Sequence, residues 1–74
     1  MTTEVRRLVA SAVLAELGRT GRDPVWLADR SGLGRPDVEM LLAGARDLTV
    51  DELAAIATAL AVSPARLVPD LPSD

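Results

Sequence analysis

Apolar residues recur along this chain at three- and four-residue spacing and are cut at short intervals by glycine and proline, a pattern that predicts five helices and no strand. Thr2 or Thr3 can cap the first helix, and Glu4 places a carboxylate in its first turn, at the positive end of the helix dipole. Val5, Leu8, Val9, Ala12, Val13 and Leu17 continue the stripe, and Gly18 and Gly21 then bracket a polar Arg19-Thr20 pair, so this helix is expected over 3–17. Asp23 as N-cap and Pro24 at the first helical position open a second, over 24–31 and closed by Gly32. A third is expected over 35–43, with Pro36 early and Gly44 as a left-handed cap just beyond it. Thr49 and Glu52 have the spacing of a capping box and open a fourth over 50–61. Ser63-Pro64 starts a last short helix over 64–68. The expected core is Val9, Val13, Leu27, Ala28, Val38, Leu42, Leu53, Ile56, Leu60 and Leu67, with Trp26 packed across helices one and five. The fold expected is a compact all-α five-helix bundle in one domain, residues 1–68, followed by an acidic, frayed tail, 69–74.

Composition narrows what such a bundle can do. The 74 residues suit one small domain, and 49% of them are hydrophobic. No apolar run reaches the ~18 residues of a membrane span and no charged-then-apolar leader heads the sequence, which predicts a soluble, cytoplasmic protein with no membrane partner. With neither cysteine nor histidine, disulfides are excluded and the usual transition-metal ligands are missing, so no metal or cofactor is expected. Nucleophilic catalysis is equally unsupported: Ser11, Ser31, Ser63 and Ser73 have no histidine to activate them, and the glycines punctuate helices instead of forming a phosphate-binding loop. No enzyme is expected. Eight arginines against eleven acids give a net charge of −3, so contact with nucleic acid requires a local cationic patch.

Helices two and three are joined only by Gly32-Leu33-Gly34, a connection of helix-turn-helix length. Leu27-Ala28 on the second helix, Gly32 and Leu33 in the turn, Val38 and Leu42 on the third helix, Gly44 after it, and the segment LTVDELAAIATALAV over 48–62 together resemble the phage-repressor/Cro-like (XRE) helix-turn-helix family, across roughly residues 10–68. That resemblance implies a sequence-specific DNA-binding transcriptional regulator, a homodimer on a two-fold site in double-stranded DNA, with its third helix in the major groove. It puts Arg35, Pro36 and Met40 in the base-reading positions and Arg19, Arg22, Gly34 and Arg46 along the sugar-phosphate backbone. Arg35 suits its place, because a guanidinium donates to both O6 and N7 of guanine, while Met40 can meet a thymine methyl.

Two departures and one competitor bear on this. Pro24 stands where the family often has a phosphate-clamping glutamine. Asp37 either stabilises the positive end of the third helix or repels phosphate. Glu39 is placed to pair with Arg35 one turn later, at ~0.2–0.5 kcal/mol, less than the ~1–3 kcal/mol of a guanine contact. The acidic balance, Pro24 and Asp37 favour an alternative, a protein-interaction module that kept the scaffold without the electropositive face. A second copy could use an apolar strip at Ala10, Leu14 and Leu17, or at Leu67, Val68 and Leu71.

Overall fold

A computed structural model describes residues 2–68 of the chain; the expected tail at 69–74, and with it Leu71, lies outside the described residues. Four α-helices and one 3-10 turn account for the elements: α1 (Thr3–Thr20), α2 (Pro24–Ser31), α3 (Arg35–Leu42), α4 (Val50–Leu60) and the turn η1 (Pro64–Arg66). The fifth helix expected at 64–68 is therefore a single 3-10 turn. Ser63 caps it and Pro64 opens it, but Leu67 closes the turn on Pro64 and is itself fully buried, so its side chain acts as a plug while the backbone stops coiling.

α1 runs three residues past its expected end. The Thr20 hydroxyl donates to the Glu16 carbonyl at 2.9 Å, and the helix closes only when Gly21 turns left-handed at φ 70°. The Gly21 and Arg22 amides then donate to the Gly18 and Leu17 carbonyls, a Schellman closure that leaves Gly18 inside the helix. α2 follows its punctuation: Asp23 accepts from the Trp26 amide at 2.8 Å and Gly32 ends the helix at φ 78°. At α4 the capping box forms in both directions, with Thr49 Oγ1 accepting from the Glu52 amide at 3.1 Å and Glu52 Oε1 accepting from the Thr49 amide at 2.9 Å.

Gly44 is left-handed at φ 69°, as its place after α3 predicts, and it has a second constraint. A Cβ there would sit 3.3 Å from Arg7 Cγ and 3.6 Å from Arg7 Cα, because the loop after α3 lies on the backbone of α1. Gly44→Val is therefore expected to cost at least ~1–2 kcal/mol from the left-handed backbone alone. A melting temperature matching the wild type would refute the requirement. Ala61 takes the same conformation, φ 59°, in the Schellman closure of α4, with its amide donating to the Thr58 carbonyl. Glycine carries no left-handed penalty, so Ala61→Gly is expected to stabilise by ~0.5–1 kcal/mol net of the added freedom of the unfolded chain. A thermal melt reads the sign directly.

The core gathers Val9, Val13, Leu17, Leu27, Ala28, Val38, Leu41, Ile56, Ala57, Leu60 and Leu67. Leu42 and Leu53, expected inside, are half-buried at its margin, and Leu41 takes the inner place beside Val38. α3 is a two-turn wedge packed on both α1 and α2, so Leu41 and Leu42 straddle its inward axis and the flank more deeply covered sets the order. Trp26 is half-buried against the core. It shares a surface cleft with Thr20 of α1, the helix it was expected to cover, and with Ala59, Leu60 and Ala61 at the end of α4. Ala10 and Leu17 are buried and Leu14 exposed, which dissolves the apolar strip expected on α1; Leu67 is likewise inside and Val68 exposed. Among the described residues, no helix is long and apolar enough to cross a membrane.

Candidate nucleic-acid interface

The outward face of α3 is fixed by what it buries. Val38 and Leu41 point into the core, so Arg35, Pro36, Glu39, Met40 and Ala43 fall on the opposite side, and all five are exposed. Gly34, the N-cap, offers no side chain to the first amides of α3, and its extended backbone delivers Arg35 at the very tip of the helix. The Arg35 side chain has no ion pair or hydrogen bond among the described residues, and the alternative pairing with Glu39 does not form. Its guanidinium is thus available to an outside acceptor without breaking an internal contact. Glu39, which in the sequence reads as a competitor for Arg35 or an acid stabilising the start of the helix, stands on the exposed face; a carboxylate there can accept from the N4 amino group of cytosine.

The other arginines differ in how free they are. Arg19 donates through Nε to Glu16 at 2.8 Å, and Arg66 Nη2 lies 3.2 Å from the same carboxylate. Glu16 is buried, a feature that helical periodicity did not signal, and two guanidiniums on one carboxylate leave the group net positive. Arg22 lies over the Trp26 ring, 4.8 Å from its centroid, a cation–π contact that orients the side chain without neutralising it. Arg46 is held from several sides. Its Nη1 donates to Glu52 Oε1 at 3.0 Å and to the Asp47 carbonyl at 2.8 Å, its Nη2 donates to Glu52 Oε2, and its Nε stands 3.9 Å from Asp37 Oδ1. Of the expected positions, Arg35, Pro36, Met40 and Gly34 share the tip and outer face of α3. Arg46 lies at the foot of that helix with its charge answered internally.

At the N-terminus of α2 the Asp23 carboxylate already satisfies the Trp26 amide. The end of α2 that could greet a phosphate therefore presents an acid and a proline. No group of metal-ligating side chains exists among the described residues.

α2 and α3, packed on each other across the Gly32-Leu33-Gly34 turn and braced by α1 and α4, form a helix-turn-helix within an all-α fold of the phage-repressor/Cro-like kind. The comparison with solved structures agrees. The chain is similar to the restriction-modification controller protein C.AhdI from Aeromonas hydrophila, with a TM-score of 0.81 and 26% sequence identity over 84% of this chain and 94% of that one. No protein-family model and no curated protein matches the sequence.

Proposed function

We propose that the chain is a sequence-specific DNA-binding transcriptional regulator and not an enzyme, reading the major groove with α3. The observation that carries this is Arg35, exposed at the tip of α3 and without a partner among the described residues, in a fold shared with a restriction-modification controller protein. Arg35 reads guanine through O6 and N7; Pro36 and Met40 contribute shape and a methyl contact on the same face. Arg19 in the last turn of α1 and Arg22 in the connection to α2 supply positive charge for the sugar-phosphate backbone, and the Gly34 backbone can approach a phosphate closely because it carries no side chain. A protein of this size covers one half-site, so the working species is a homodimer on a two-fold operator with half-sites about one helical turn, ~34 Å, apart.

The test is fluorescence anisotropy on duplex DNA at two or more salt concentrations. Binding that falls with salt, and is far tighter on a duplex selected from a random pool than on unselected duplex, supports the reading. Binding no tighter than the ~10⁻⁴ M weak end of non-specific affinity at physiological salt refutes it. That outcome favours the protein-interaction module, for which the acids at Asp23, Asp37 and Glu39 around the α2–α3 face already argue.

A further inference from the structure

We propose that Arg46 is the positioning residue of the recognition helix, a clamp between the first turns of α3 and α4, and not a contact to the phosphate backbone. The inference rests on the DNA-reading role proposed for α3. Arg46 sits in the loop between the two helices, and its planar guanidinium meets the third residue of each: Glu52 of α4 through two hydrogen bonds and Asp37 of α3 at 3.9 Å. Glu52 cannot drift to follow it, because the same carboxylate accepts the Thr49 amide in the capping box. The Asp47 carbonyl takes a further Nη1 hydrogen and fixes the plane of the group. Only 26% of the Arg46 side chain and 14% of that of Glu52 are exposed, so the pair sits largely out of water, where a two-point hydrogen-bonded contact is stronger than a surface pair.

Two consequences follow for DNA reading. Asp37 stands two residues from Arg35, so this contact, at 3.9 Å and with 54% of the Asp37 side chain exposed, links the clamp to the helix tip that carries the base-reading side chain. The clamp also places a positive charge beside Asp37, so that acid acts as an anchor for Arg46 instead of a bare negative charge facing phosphate.

Exchange of charge for geometry separates a clamp from a phosphate contact. Lysine keeps the charge and loses the planar fork, whereas Glu52→Gln breaks the clamp and leaves the arginine in place. Three full-chain variants, Arg46→Lys, Arg46→Gln and Glu52→Gln, are titrated by anisotropy against the selected duplex and against a scrambled duplex, well below the melting temperature of each. For a clamp, all three lower the ratio of selected to scrambled affinity, by about ten-fold, within the range for directly coupled neighbours, with the salt slope unchanged. The double variant Arg46→Gln/Glu52→Gln is then no worse than the worse single variant. For a phosphate contact, Arg46→Lys binds as the wild type, Arg46→Gln lowers the salt slope by about one unit, and Glu52→Gln tightens binding by freeing the arginine; any of these overturns the proposal.

Amide hydrogen exchange without DNA supplies a readout independent of the function. In Arg46→Gln the α3 amides from Val38 to Leu42 should lose protection relative to those of α1. Equal loss in both helices marks general destabilisation and overturns the clamp, as does no loss in either. A wild type that binds no duplex, together with selective loss of α3 protection, defeats the DNA reading while the clamp stands.

Discussion

Leu27→Ala is expected to destabilise the fold by ~2–5 kcal/mol, the range for emptying a leucine site in a core that collapses only partly. Leu27 has no exposed surface and lies where α2 meets the rest of the core, with Ile56, Val38 and Leu67 the other fully buried large side chains. A domain of this length has roughly 4–11 kcal/mol in total at ~0.05–0.15 kcal/mol per residue, so the variant loses a large fraction of its stability. The melting temperature should fall by roughly 10–40 °C, given ~4–8 °C per kcal/mol for so small a domain. Circular dichroism melts read it directly. A loss under 1 kcal/mol would mean that α2 is not seated in the core as described, and the placement of the helix-turn-helix would have to be revised with it.

Arg35→Ala carries the largest functional effect. Removing a bidentate guanine contact costs ~1–3 kcal/mol, or about 5- to 150-fold in affinity for the preferred duplex. The change should relax the preference at one base pair of each half-site, while binding to scrambled duplex falls much less. Because the Arg35 side chain makes no ion pair or hydrogen bond with the described residues, its removal should change stability by no more than the ~0.5 kcal/mol of ordinary surface substitutions. Thermal stability and duplex affinity measured on the same preparation therefore separate a lost base contact from a lost fold. Equal loss on both duplexes would reassign Arg35 to the backbone.

How far the candidate site was legible follows the range of the forces involved. The resemblance put Arg35 and Met40 in the reading positions, and their outward placement was legible because a helix start and one buried residue, Val38, fix which side of α3 faces outward. The state of the arginines was not. Arg46 meets Glu52 across a loop, and Arg66 meets Glu16 from the far end of the chain. Neither pairing has a helical spacing to announce it: in the sequence Glu52 reads as a capping-box residue and Glu16 as an ordinary helix residue. A guanidinium counted only by its place in the chain looks available for phosphate; its neighbours in space decide whether it is.

Features under local chemical control were legible in the residues alone. The all-α class, the span of α2, the capping box at α4 and the left-handed Gly44 each follow from residues within one turn of where they act: a cap, a proline, a glycine. The resemblance over 48–62 pointed to the same type of fold that the structure shows. Packing settled what depends on neighbours in space. It extended α1 through Gly18 to the Gly21 closure, reduced the fifth helix to a turn around the buried Leu67, and chose Leu41 over Leu42 for the inner face of α3. It also buried Glu16 under two arginines and tied Arg46 to the capping glutamate. The physical reason is common to all of these. Caps and left-handed turns are settled by backbone hydrogen bonds a few residues apart, whereas burial and ion pairing are settled by which surfaces the packed helices bring together.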